Sequence, residues 1–321
     1  MSIASSSAER TGARKAPLAV VFGCSGPVLT ARERDFFRDA DPLGFILFER
    51  NLGDAAAIRR LTCELREAVG DGAAPVLIDQ EGGRVARLGP PEWPAFPSAA
   101  QLAGGPAGAT RATARAIGGM LAGLGIDVNC APVADVHAPG LTHEVIGERA
   151  FSSDPAIVAV HARAYAEGLR DAGVLPVLKH LPGHGRAVGD SHETLPETDA
   201  DEPSVAAFSA LADLPVGMTA HVLYRDWDAR LPATLSPAVI GEVVRGRIGF
   251  DGLLLTDDLS MRALDGPFAA RTRRALDAGC DIALHCNADA AEMAEVAAAA
   301  GRMTAAAARR WRRARNWLEA S

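Results

Sequence analysis

A single (β/α)8 TIM barrel is the fold the sequence predicts, and three observations carry the prediction. Short apolar runs recur along the 321 residues, each closing in polar or small residues, with helical segments between them. The runs are continuously apolar rather than alternating, which marks strands buried on both faces, as in a parallel sheet. Chemistry-bearing side chains stand just beyond the runs' C-terminal ends, the face where barrel active sites lie. A doubly wound open sheet is the alternative. No glycine-rich phosphate loop follows the first run, however, where Cys24-Ser25-Gly26-Pro27 stands instead.

The eight strand candidates are Leu18 to Phe22, Gly44 to Phe48, Pro75 to Ile78, Ile126 to Val128, Val174 to Leu178, Val216 to Thr219, Leu253 to Leu255 and Ile282 to Leu284. Helical character fills Ala55 to Val69 and the Ala- and Leu-rich stretch Ala109 to Leu124. Pro155 to Ala172 and Pro237 to Ile248 open with a proline, which suits a first helical turn. Arg271 to Ala278 and Ala290 to Leu318 are alanine-rich, with high helix propensity. Neither a repeat nor a linker-like change of composition divides the chain, so one barrel domain is expected over residues 17–321.

The formal net charge of −7 and a pI near 5.6 argue against nucleic acid or an anionic membrane as partner. Five scattered cysteines without CxxC spacing read as free thiols of a reducing compartment, so a cytoplasmic location is expected. The small, polar residues 1–16 suggest a disordered tail. Gly23-Cys24 resembles part of a lipoprotein cleavage site, but Phe22 is too bulky before it, and a first buried strand explains the run better. No cofactor or metal is called for, and a monomer is the default.

The chemistry concentrates in Lys179-His180-Leu181-Pro182-Gly183-His184 and on through Asp190-Ser191-His192. One strand end and its glycine-punctuated loop thus carry three histidines, a lysine and an aspartate. Asp190 and His192, two apart, fall on one face of an extended segment, where a carboxylate orients an imidazole and favours its protonated form. In Asp257-Asp258, at the end of another run, only one side chain can face the barrel axis, because strand neighbours point oppositely. The other is left to orient or cap. Asp79, ionised, suits bidentate bonding to vicinal sugar hydroxyls. Glu81 and Arg84, around the Gly82-Gly83 pair, read as a network that shapes the loop. Asn129, Asp135, His221 and Asn287 stand at further strand ends.

The runs DQEGGRVARL, GIDVNCAPVADV, VIGERAFSSDP, LKHLPGHGRAVGDSHETLP, MTAHVLY, PATLSP and GFDGLLLTDDLSM resemble the glycoside hydrolase family 3 β-N-acetylglucosaminidases of bacterial peptidoglycan recycling. They occur in family order from Gly26 to Asn287, and the Lys-His-x-Pro-Gly-His-Gly…Asp-Ser-His run is a specific signature. The resemblance implies a TIM barrel, a covalent glycosyl-enzyme intermediate and an exo-acting, retaining enzyme. It gives Asp257 as nucleophile, His192 as acid/base and Asp190 as its dyad partner. Asp79, Arg87, Arg149, Lys179 and His180 are implied to hold the terminal N-acetylglucosamine, here of a muropeptide-type substrate. Leu181 replaces a common Phe, Thr256 a Ser and Glu148 an Asp.

Three other readings remain. Phosphorolysis would use phosphate in place of water. A metal-dependent hydrolase would need His180, His184, Asp190 and His192 as ligands, beside the cation of Lys179. A sugar-binding module would be expected to lack the nucleophile or the acid/base.

Overall fold

The computed structural model describes residues 15–320. All but the last two residues of the tail expected over 1–16 lie outside that range. Eight parallel strands form the barrel: β1 (Leu18–Phe22), β2 (Pro42–Leu47), β3 (Val76–Ile78), β4 (Val128–Asn129), β5 (Leu175–Pro176 and Leu178–Leu181), β6 (Val216–Thr219), β7 (Leu253–Asp258) and β8 (Ile282–His285). Sequential strands are neighbours, and β1 pairs with β8. Closure occurs within β5. Its first piece bonds to β4 and its second to β6, and Val177 alone separates them, so both ends of the sheet belong to one strand. The amide of Val177 donates to the carbonyls of Asn129 and Ala131, which seals the seam.

The surrounding helices are α1 (Ala31–Ala40), α2 (Ala55–Ala68), α3 (Ala107–Ala122), α4 (Pro155–Asp171), α5 (Glu202–Ser209), α6 (Val239–Arg247), α7 (Phe268–Ala278), α8 (Ala290–Ala300) and α9 (Ala305–Glu319). Two of them, α1 and α5, are additions to the expected set. A capping box starts α1: Thr30 Oγ1 accepts from the Glu33 amide, and the Thr30 amide donates back to Glu33. The single helix expected from Ala290 to Leu318 is two. Gly301, at φ 69°, ends α8, and Thr304 caps α9 by accepting from the Ala307 amide. The expected helix at 237–248 is present but wound with i→i+5 bonds over Val239–Arg247; nothing in its sequence explains the wider winding.

Strand alternation divides the core into two layers. Ala19, Val21, Leu77, Val128, Leu175, Val177, Val216, Met218, Leu253, Leu255, Ile282 and Leu284 fill the barrel interior. Leu18, Val20, Phe22, Val76, Ile78 and Leu254 face the helices. The inward parity of β3, β5 and β7, continued past the last apolar residue, falls on Asp79, Lys179 and Asp257. The opposite mouth is closed by α9, whose Ala307 and Ala314 join the interior cluster while Arg310 pairs with Asp281 and Asp251 below the strands. Functional chemistry is thereby left one open end. Among the described residues no helix is long and apolar enough to cross a membrane.

Candidate active site

A cavity of about 270 Å3 opens at the C-terminal mouth of the barrel. Asp79, Arg87, Arg149, Lys179, His180, His192 and Asp257 all line it. Asp190, the remaining predicted site residue, stands behind His192. Asn129 and Asn287 do not reach the cavity. Asn129 bonds both ways to the Gln80 backbone, and Asn287 donates to Glu292 outside.

The β3 end and the loop after it supply the anionic half of the wall. Gln80 holds Leu88 through both its amide atoms, at 2.9 Å each, and folds the loop back so that Arg87 returns to Asp79. Tyr165, from α4, donates to the carbonyls of Gln80 and Glu81 at 3.0 Å. Asp79 accepts from Lys179 Nζ at 2.9 Å and from Arg87 at 3.2 Å. Glu81 accepts from Arg149 through both oxygens at 2.9 Å and lies 2.7 Å from Lys179 Nζ.

Two carboxylates therefore share three cations in a site where Lys179 and Glu81 are almost wholly buried. Burial pushes the Asp79 and Glu81 carboxyls up. The cations outweigh it, Lys179 then Arg87 for Asp79 and Arg149 then Lys179 for Glu81, and both end below their ordinary range. Burial likewise opposes the charge on Lys179, and Asp79 and Glu81 reverse the effect.

Glu81 thus takes part in a charge network, as the sequence suggested, and it stands inside the cavity-lining cluster rather than beside it. Glu81→Gln would leave Arg149 and Lys179 short of a counter-charge, a loss of about 3–5 kcal/mol for a broken buried pair. Because the folded pKa is depressed below the ordinary ~4.3, this stabilisation is complete above that value and is lost as pH falls through the folded one. Urea unfolding of the native chain and of Glu81→Gln at pH 7 and at pH 3 measures it, with a smaller difference between them at pH 3. A variant as stable as the native chain at pH 7 would contradict the assignment.

At β7 both Asp257 and Asp258 touch the cavity, but Asp258 is the one whose oxygens are taken up by its neighbours. Asp258 accepts from the amides of Ser260 and Cys286 at 3.0 Å and from the Ser260 hydroxyl at 2.5 Å. Its own amide donates to Asp257 at 2.8 Å. Burial would raise the Asp257 carboxyl, but His221, His180, the Asp258 amide and Lys179 hold it below the ordinary range, so it is ionised at neutral pH. His221 lies in the wall behind, bonded to Thr234 at 2.7 Å and to the Asp258 carbonyl at 2.9 Å. Burial depresses its pKa.

The loop after β5 is fastened at its start, and at its tip the Ser191 carbonyl accepts from the Ala263 amide at 3.2 Å. Gly183 lies at φ 141°, accepts from the Tyr224 hydroxyl and packs on Ser204. A Cβ at Gly185 would strike the Val136 carbonyl, so the two backbones meet where only glycine fits. The tip is a turn, not the extended segment expected. Asp190 Oδ1 accepts from the His192 amide at 2.9 Å and bonds His192 Nδ1 at 2.8 Å, an Asx turn that makes the dyad by another route. His192 is 66% exposed. Burial would raise the Asp190 carboxyl, but the His192 amide and ring bring it below the usual range.

Asp190→Asn should therefore reduce kcat/KM most for poor leaving groups. An equal loss with good and poor leaving groups would make Asp190 a loop residue only.

His184, the other histidine of the run, is buried, and burial pushes its pKa down to about 4. Its ring is therefore uncharged at neutral pH and a weak proton donor. Asp135 was seen in the sequence only as a polar strand end. In the fold it is fully buried and accepts from the His184 amide at 2.7 Å, the His180 amide at 3.3 Å and His180 Nδ1 at 2.7 Å. His180 and His184 are held by Asp135 while Asp190 is spent on His192. Among the described residues no group of three or more His, Cys, Asp or Glu is arranged to hold a metal ion. The departures from the family pattern are accommodated: Leu181 is buried in the core, Thr256 accepts from the Leu284 amide, and Glu148 accepts from the Arg84 amide.

A closed parallel barrel with an ionised carboxylate, an exposed Asp–His pair and a cavity-lining charge cluster at its C-terminal mouth is a layout that suits a barrel glycosidase. Residues 30–313 match the glycosyl hydrolase family 3 N-terminal domain. A β-hexosaminidase of Methylococcus capsulatus is 41% identical over 281 residues, 83% of this chain and 82% of that protein. One of Xanthomonas oryzae is 38% identical over 287 residues, covering 84% and 83%. The crystal structure of NagZ from Neisseria gonorrhoeae in complex with N-trifluoroacetyl-D-glucosamine superposes with a TM-score of 0.84 at 29% identity, over 96% of this chain and 95% of that one. The chain belongs to glycosyl hydrolase family 3 and is a glycoside hydrolase.

Proposed function

We propose that the chain is a retaining exo-β-N-acetylglucosaminidase that removes terminal N-acetylglucosamine, with muropeptide fragments as natural substrates. The observation that carries the reading is the meeting of Asp257, from β7, and the Asp190–His192 pair, from the β5 loop, at one cavity beside the Asp79–Lys179–Arg149 cluster. The names of the relatives support a β-hexosaminide as substrate, and the NagZ complex supports the N-acyl sugar.

In the first step an oxygen of Asp257 attacks the anomeric carbon while the bond to the leaving oxygen breaks. Since Asp190 holds Nδ1 of His192, Nε2 is the atom that delivers the proton to that oxygen. In the second step water attacks the same carbon, gives its proton to Nε2 and releases the Asp257 carboxylate. Asp79, Arg87, Arg149, Lys179 and His180 hold the sugar ring so that its anomeric carbon meets Asp257, a proximity contribution. The same reading makes the enzyme a cytoplasmic monomer, in keeping with five free cysteines, four of them buried.

Aryl β-glycosides test the sugar specificity. Release of phenol should be fast from the N-acetylglucosaminide and much slower from the glucoside, which lacks the acetamido group. Equal rates, or a preference for glucose, would overturn the reading. Release of N-acetylglucosamine from disaccharide-peptides, compared with chitin fragments, tests the choice of aglycone.

A further inference from the structure

Asp135 sits beneath the cavity, lines none of it, and is one of the few carboxylates of the barrel with no exposure at all. A fully buried carboxylate is costly unless each oxygen is occupied. Here the two oxygens have divided tasks. Oδ1 accepts the backbone amides of His180 and His184 and so fixes where β5 ends and its loop begins. Oδ2 lies 2.7 Å from His180 Nδ1. Against the other nitrogen, Nε2, stands Arg149 Nη2 at 3.5 Å, a group that can only donate.

Both neighbours impose the same arrangement on the ring. Asp135, which can only accept, requires a proton on Nδ1, and Arg149 favours a bare Nε2. We propose that Asp135 is a positioning residue that locks the His180 ring in its Nδ1–H tautomer, so that Nε2 faces the cavity as an acceptor for a sugar hydroxyl. His180 then contributes the acceptor that Lys179 and Arg149, both donors, cannot supply. This rests on the cavity being the hexosamine site, but the tautomer itself does not.

Asp135→Asn is the diagnostic change. The asparagine oxygen still accepts the two backbone amides, so the turn into the loop is kept. Its NH2 group replaces Oδ2 and donates to Nδ1, which drives the ring proton to Nε2, against the Arg149 guanidinium. The 15N shifts of the His180 ring, assigned by comparison with His180→Gln and recorded at pH 8.5, should show a protonated Nδ1 and a bare Nε2 in the native protein, and the reverse in Asp135→Asn. Turnover of an aryl N-acetylglucosaminide should fall about 10- to 100-fold in kcat/KM, the range of lost orienting groups. The double variant Asp135→Asn/His180→Gln should be no worse than His180→Gln alone, because the two residues act as one unit.

A native ring protonated at Nε2 would overturn the proposal even if the variant fails to fold. So would losses in the two single variants that multiply in the double one. Should the native protein fail to turn over the aryl N-acetylglucosaminide, the functional reading falls while the tautomer pattern still decides the role of Asp135.

Discussion

Asp257→Ala is expected to lower turnover by on the order of 10^4 or more, with the fold intact. The size of the effect follows from the step that is lost. With no carboxylate facing the anomeric carbon, no covalent intermediate forms, and the Asp190–His192 pair has only an unassisted departure to protonate. Asp258 cannot substitute. Although it also touches the cavity, its oxygens are engaged by Ser260 and the Cys286 amide. Stability should be little harmed, because removing Asp257 deletes a half-buried charge that no ion pair holds directly. Steady-state kinetics and thermal unfolding on the same sample check both halves. A variant that keeps a tenth of native activity would move the nucleophile elsewhere.

His192→Ala should give the second largest effect, and one that depends on the leaving group. A 4-nitrophenol-type group departs almost without a proton, so the first step should lose little. The second step still lacks a base for water, and glycosyl-enzyme should accumulate. Pre-steady-state kinetics should then show a burst of phenol followed by slow turnover. Azide, which needs no deprotonation, should speed the slow phase and yield a β-glycosyl azide. With a poor leaving group the first step itself should fail. A variant that is equally slow with both substrates, shows no burst and ignores azide would exclude His192 as acid/base. His184 could not take over unchanged, since burial keeps it neutral.

Much of this arrangement was legible in the sequence because barrel strands carry inward parity past their apolar ends. Leu253 and Leu255 face the axis, so Asp257 does, and the same count from Leu77 reaches Asp79. Strand β5 was read too short, ending at Leu178, because Lys179 and His180 look like the start of a loop. The strand continues to Leu181 because Asp79, Glu81 and Asp135 make those polar groups tolerable inside. Those partners lie 45 or more residues away, beyond any local pattern. The role of Asp135 was hidden for the same reason. By contrast α1 was within reach, since Thr30 and Glu33 stand at capping-box spacing, and so was the break at Gly301 and Thr304. The Asp190–His192 pair was found by an i, i+2 argument for an extended chain, and the turn that forms it satisfies the same spacing.

The central claim is that Asp257 forms a glycosyl ester during catalysis, and peptide mapping of a trapped intermediate tests it most directly. A 5-fluoro N-acetylglucosaminyl fluoride slows both steps through its electron-withdrawing fluorine, while its good leaving group keeps the first step the faster. Mass spectrometry of the digested enzyme should then find one added sugar on the peptide holding Leu253–Asp258, with fragmentation placing it on Asp257. A label on Asp258 or Glu81, or full turnover with no covalent adduct at any time point, would contradict the account.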